Sequence, residues 1–185
     1  MPVWFNSRKA AQVVAFFARQ QGGEINVLKL TKLVYIADRK NMEAYDFPIC
    51  GDKLVSMDNG PVNSMTLNHI NGLVATKDGW DEFVADRAGH FVGTAKQNIP
   101  DEDLDELSPA ELKTLYAVWK DFGWMDQWQL RDWTHNNCPE WEDPDGSSNP
   151  IPYERVFKFL QKNNAEELEA RVLEDRQLRV ALHAG

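Results

Sequence analysis

The stretch "INVLKLTKLVYIADRKNMEAY", residues 25–45, constrains this chain most. Leu30, Leu33, Val34, Ala37, Asn41 and Ala44 recur at i, i+3, i+4 and i+7, which predicts a helix starting behind Asn26 and ending before Pro48. Lys29, Lys32, Arg39 and Lys40 fall mostly off that face. A helix with such a long apolar stripe must be covered by other elements. The rest of the chain therefore has to cover that face.

The candidates are legible. "NSRKAAQVVAFFARQQGG" has Asn6 or Ser7 as a cap, buried-face positions Ala11, Val14, Phe17 and Ala18, and a Gly22-Gly23 stop. "SPAELKTLYAVWKDFG" opens with Ser108, Pro109 and Glu111, a capping box, and ends at Gly123. "DQWQLRDWTHNN" repeats the box with Asp126 and Gln129. "CPEWEDPDGSSNP" reads as a loop, and "IPYERVFKFLQKN" as a short helix burying Val156, Phe157 and Leu160. "KLVSM", "WDEFVAD" and "HFVGTAK" read as strands, the last two joined by the turn Arg87-Ala88-Gly89. The expected fold class is α+β: one mostly helical domain around a small antiparallel sheet of about three strands. Residues 164–185 read as a charged helical tail with too narrow an apolar stripe to pack firmly.

"DNGPVN", residues 58–63, could be a hairpin turn, a phosphate-holding loop or a sharp strand-to-helix corner. A phosphate loop needs several glycines and a following Lys-Ser/Thr, and Pro61 removes an amide where phosphate would want one. In the corner reading Gly60 turns the chain and Pro61 sits in the first helical turn.

At 185 residues the chain suits one domain burying roughly 70% of its unfolded surface. No apolar run approaches the roughly 20 residues of a membrane span. Two cysteines, Cys50 and Cys138, give no disulfide framework, so a reduced, cytoplasmic protein is expected. The net charge of −9 is uneven: +5 over residues 1–40, −14 over 41–152 and zero over 153–185. So acidic a body repels phosphate backbones, which argues against direct nucleic-acid binding and suits a basic protein partner.

Chemical sites are sparse. His69, His90, His135, His183 and the two cysteines lack metal-ligand spacing, and the acidic run Asp101, Glu102, Asp103, Asp105 and Glu106 lacks the glycine and register of a calcium loop. No metal or cofactor is expected. Asp132, His135 and Cys138 are spaced three apart, the raw material of a small hydrolase or transferase. Pro139 ends the helix before Cys138, however, and the acidic surroundings would not favour a thiolate. Five of the seven tryptophans, Trp119, Trp124, Trp128, Trp133 and Trp141, fall within 23 residues. Two short helices and a loop do not bury all five, so one or two should reach the surface, where tryptophan marks protein interfaces.

"LKLTKLVYIA", a strand with "DNGPV", "LSPAE…LYAVWKDFG", "LRDWTH…PEW" and "IPYERVFKFL", in that order over about residues 8–160, resemble the Panacea, or SocA-like, antitoxin domain. The resemblance implies a non-enzymatic antitoxin of a bacterial or phage toxin–antitoxin system that binds and occludes a cognate toxin, expected from an adjacent gene. Presenting the toxin to a protease is the alternative it carries. Self-association stays open, and no DNA-binding segment is expected ahead of the landmarks. Residues 1–163 would form the domain. Lys29, Leu30, Lys32, Leu33, Tyr35, Gly60, Pro61, Thr134 and His135, with Trp141, match recurring motif positions and are expected to be structural. The resemblance also favours the corner at Gly60-Pro61. Partner contacts are expected at Asp101, Glu102, Asp103, Asp105, Glu106, Trp124, Trp128 and Trp141.

Overall fold

The computed structural model describes residues 2–74 and 78–183. Helix α1 (Ser7–Gln20) begins at Asn6, whose side chain accepts from the Lys9 amide. Strand β1 (Glu24–Asn26) leads directly into α2 (Val27–Tyr45), where Asn26 caps the helix by accepting from the Leu28 and Lys29 amides. Every residue of α2 from Lys29 to Asp38 is buried. The helix is covered all round rather than along one face, and Ala44, expected inside, is exposed. It ends at Asp46 in a left-handed conformation, φ 60°.

Strand β2 (Leu54–Met57) pairs antiparallel with β3 (Gly60–Asn63), Met57 opposite Gly60, and α3 (Ser64–Ile70) follows. "DNGPVN" is therefore a hairpin, and the expected corner is corrected. The turn residues Asp58 and Asn59 keep negative φ while Gly60 takes +99°, a conformation that glycine adopts cheaply. Pro61 is tolerated within a strand because β3 lies at the edge of its sheet. The cap of α3 comes from Asp52, eleven residues before Asn63: its carboxylate accepts from the Met65 and Thr66 amides and the Thr66 hydroxyl.

Trp80–Glu82 forms a 3₁₀ turn where a strand was expected. Strand β4 (Phe91–Gly93) pairs with β1 instead, leaving residues 84 and 88 only isolated bridges to 94 and 91. The tight turn is Gly89-His90, one residue later than expected, between mutually bonded Ala88 and Phe91. The second half holds α4 (Pro109–Phe122) and α5 (Gln127–Asn137), both with complete capping boxes. Strand β5 (Asn149–Pro150) joins the other side of β2, so the described residues form two small sheets, β1-β4 and β3-β2-β5. The mostly helical α+β architecture is as expected.

Helices α6 (Tyr153–Phe159) and α7 (Ala165–His183) complete the chain. Ala165, Leu168 and Val172 of α7 enter a second core with Tyr35, Leu54, Val156 and Phe157. Arg176 donates to the Gly51 and Asp52 carbonyls and lies over the Trp4 and Tyr153 rings. The first half of the tail is thus docked, contrary to the peripheral helix expected; Leu178 and Leu182 beyond it are exposed. Its narrow stripe suffices because a cation clasp extends it.

Candidate protein-binding surface

The motif side chains of α2 form a row of struts. Lys29 donates to the Gly123 carbonyl at the end of α4 (2.6 Å) with its ammonium over Trp119. One turn on, Lys32 donates to the Pro61 carbonyl in the hairpin (2.8 Å). Tyr35 and Arg39 both donate to the buried carboxylate of Glu140, each at 2.7 Å. Asp38 accepts from the Ile49 and Cys50 amides and from Asn63. Leu30 and Leu33 pack in the main core between them. A single helix thereby locates α4, the hairpin, the loop after α5 and residues 49–50.

Burial shifts these groups as it should. Desolvation pulls Lys32 down to about 7 and pushes Asp38 up to about 7. It also raises Asp52 to about 6 against the amides that favour its carboxylate.

Gly60, Thr134 and His135 meet beneath the hairpin. A methyl group on Gly60 would stand 2.8 Å from Thr134 Oγ1, 3.2 Å from Lys32 Nζ and 3.4 Å from His135 Cδ2. The His135 ring stacks on Trp141 with centroids 3.9 Å apart, and the Trp141 indole donates to the Met57 carbonyl. Trp141 is consequently part of this packing rather than a free surface anchor. Burial, then the Lys32 and Arg131 charges, holds His135 below its ordinary value, so its ring is neutral at pH 7.

The trio Asp132, His135 and Cys138 does not converge. Cys138 is fully buried in the second core, where desolvation pushes its thiol up to about 12. Asp132 is exposed and paired with Arg131. A protonated, enclosed thiol is not a nucleophile. Among the described residues, no group of three His, Cys, Asp or Glu could hold a metal ion, and no helix is long and apolar enough to cross a membrane.

Much of the acidic run faces its own chain. Asp101 pairs with Arg19 (2.8 Å) and accepts from Tyr116. Asp105 meets Arg8 and Gln12, and Glu106 accepts from Asn6. Glu102 and Asp103 point outward. The basic first helix and the acidic run thus neutralise one another locally, which composition alone does not reveal.

Trp124 and Trp128 are the outward tryptophans, 70% and 51% exposed. Trp128, with Arg131 stacked on it, stands at the start of α5 on the rim of a groove of about 620 Å³. Phe91, 45% exposed, stands on the same rim; Val27, Leu28, Met57 and Val62 contribute apolar lining. Sequence reasoning missed Phe91, since only the pairing of β4 with β1 brings it beside the groove. It also missed Glu140, although "PEW" marked the segment.

No curated protein and no solved structure matches the chain. A family model described as antitoxin SocA-like, Panacea domain, matches residues 30–142, the span that contains the α2 struts from Lys32 onward, the hairpin, both capping boxes and Glu140. The chain belongs to the SocA-like antitoxin family with a Panacea domain.

Proposed function

We propose that this protein is a non-enzymatic, cytoplasmic antitoxin that binds a cognate protein toxin, encoded by an adjacent gene, and occludes it. The observation that carries this reading is a division of labour within a member of an antitoxin family. The motif residues Lys29, Lys32, Tyr35, Gly60, Thr134 and His135 hold or closely pack elements together, whereas Trp124, Trp128 and Phe91 face outward on a preformed surface. Exposed aromatic side chains on rigid elements bind proteins with little ordering cost. The two outward acids Glu102 and Asp103 lie apart from these rings and would favour approach to a basic toxin.

Co-expression tests the reading. The adjacent gene should arrest growth when expressed alone and be harmless with this chain. Unrelieved arrest despite soluble expression of both would refute it.

A further inference from the structure

The groove beside Trp128 is lined by Arg87, one of two arginines in the acidic stretch from 41 to 152. The segment from 41 to 152 carries a net −14, yet Arg87 and the His90 imidazole line the groove, and Lys32, drawn down to about 7 by burial, lies beneath its floor with only part of its charge. Arg87 is held by the neutral acceptors Gly89 carbonyl and Asn71 Oδ1, so its charge is not cancelled by an acid there. The one lining carboxylate, Asp58, already accepts from the Gly146 amide. The 19-residue helix α2 also begins in this wall with no acidic residue in its first turn, its Val27, Leu28 and Lys29 amides being capped by the His90 carbonyl and the neutral Asn26 side chain. Against this stand the apolar walls and the two half-exposed rings of Phe91 and Trp128.

A cleft with aromatic rims and a positive lip selects an occupant that is apolar where it enters and anionic beside that point. We propose that the groove receives a segment of the toxin that presents an aromatic or long apolar side chain with a carboxylate next to it, a proposal that rests on the antitoxin reading. The anchor enters between Phe91 and Trp128, and the carboxylate meets Arg87 and His90. Such a contact would fix the register of a complex whose approach is governed elsewhere, by the outward acids near 102–103.

Two peptides probe this chemistry on the intact protein: acetyl-Gly-Phe-Glu-Gly-amide and its Lys counterpart, followed through the Trp128 indole N–H signal. The Glu peptide should bind at least about threefold more tightly, and added salt should shrink the difference. Arg87→Gln should abolish the preference, and Phe91→Ser should weaken both peptides; both positions are exposed, and circular dichroism confirms the fold. Equal or tighter binding of the Lys peptide overturns the proposal. So does phenylacetate binding more tightly than the Glu peptide, which would mark a small-molecule site, or peptide-sensitive self-association, which would mark a second copy. Co-expression separates the two claims. Full protection by a folded Arg87→Glu/Phe91→Ser double variant overturns the groove contact and leaves the antitoxin reading standing. No protection by the wild type overturns both.

Discussion

Lys32 Nζ and the Pro61 carbonyl lie 2.8 Å apart, both fully enclosed, and tie the central helix to the edge strand of the hairpin. A lysine buried at this point costs stability while it is charged, and the bond to the carbonyl offsets only part of that cost. Its pKa is near 7 in the folded protein against an ordinary 10.5. The folded state therefore binds fewer protons than the unfolded chain between those values, and stability from this group rises with pH across that window. Relative to Lys32→Met, the wild type should gain up to about 1 kcal/mol per pH unit as pH rises from 7 toward 10. Urea unfolding of both proteins at several pH values measures it; a constant difference contradicts it.

Gly60→Ala should destabilise the fold by about 1–3 kcal/mol, because φ is +99° and the added methyl would meet Thr134 Oγ1 at 2.8 Å. Thermal melts of the purified variant test this. An unchanged melting temperature would mean that the hairpin relaxes freely around the new side chain.

Helix α7 is expected to belong to the domain. Removing residues 165–185 should cost about 3–6 kcal/mol from the lost burial of Leu168, Val172 and Ala165. Leu168→Ala alone should cost about 2–4 kcal/mol. A truncated protein with wild-type unfolding would refute the docking.

The acidic run divides into two roles. Asp101→Asn should remove at most about 1 kcal/mol of stability, since its pair with Arg19 is partly exposed. Neutralising Glu102 and Asp103 should instead slow toxin association and reduce its salt dependence, leaving dissociation nearly unchanged. Stopped-flow rates at two salt concentrations decide between these effects.

Trp128→Ala should accelerate dissociation of the toxin complex about tenfold or more, with little effect on association or folding, because half of its ring is already in solvent. Surface-captured toxin measures both rates. A change confined to association would contradict an anchoring role.

The helices were readable because their signals are local. Asn6, Asn26, Ser108-Pro109-Glu111 and Asp126-Gln129 mark starts through bonds made within three residues. The sheets were less readable because their partners are remote. Whether Gly60-Pro61 continues a ladder depends on the edge position of β3, and whether residues 80–86 form a strand depends on β1 taking β4 as its partner. Asp52 capping α3 and Arg176 clasping the 51–52 carbonyls are also long-range, without sequence signatures. At the surface, tryptophan clustering pointed to Trp124 and Trp128, but the cancellation of the acidic run by α1 and the place of Phe91 on the groove emerge only from tertiary structure.

The central claim, neutralisation by occlusion, is tested most directly by titrating the purified toxin's activity with this protein. Occlusion predicts a linear fall to zero at a fixed molar ratio, recovery of intact toxin on dissociation, and no dependence on Cys138 or His135 beyond their effect on folding. Complete loss of toxin activity at a small fraction of that ratio, with turnover and a covalently altered toxin, would contradict it.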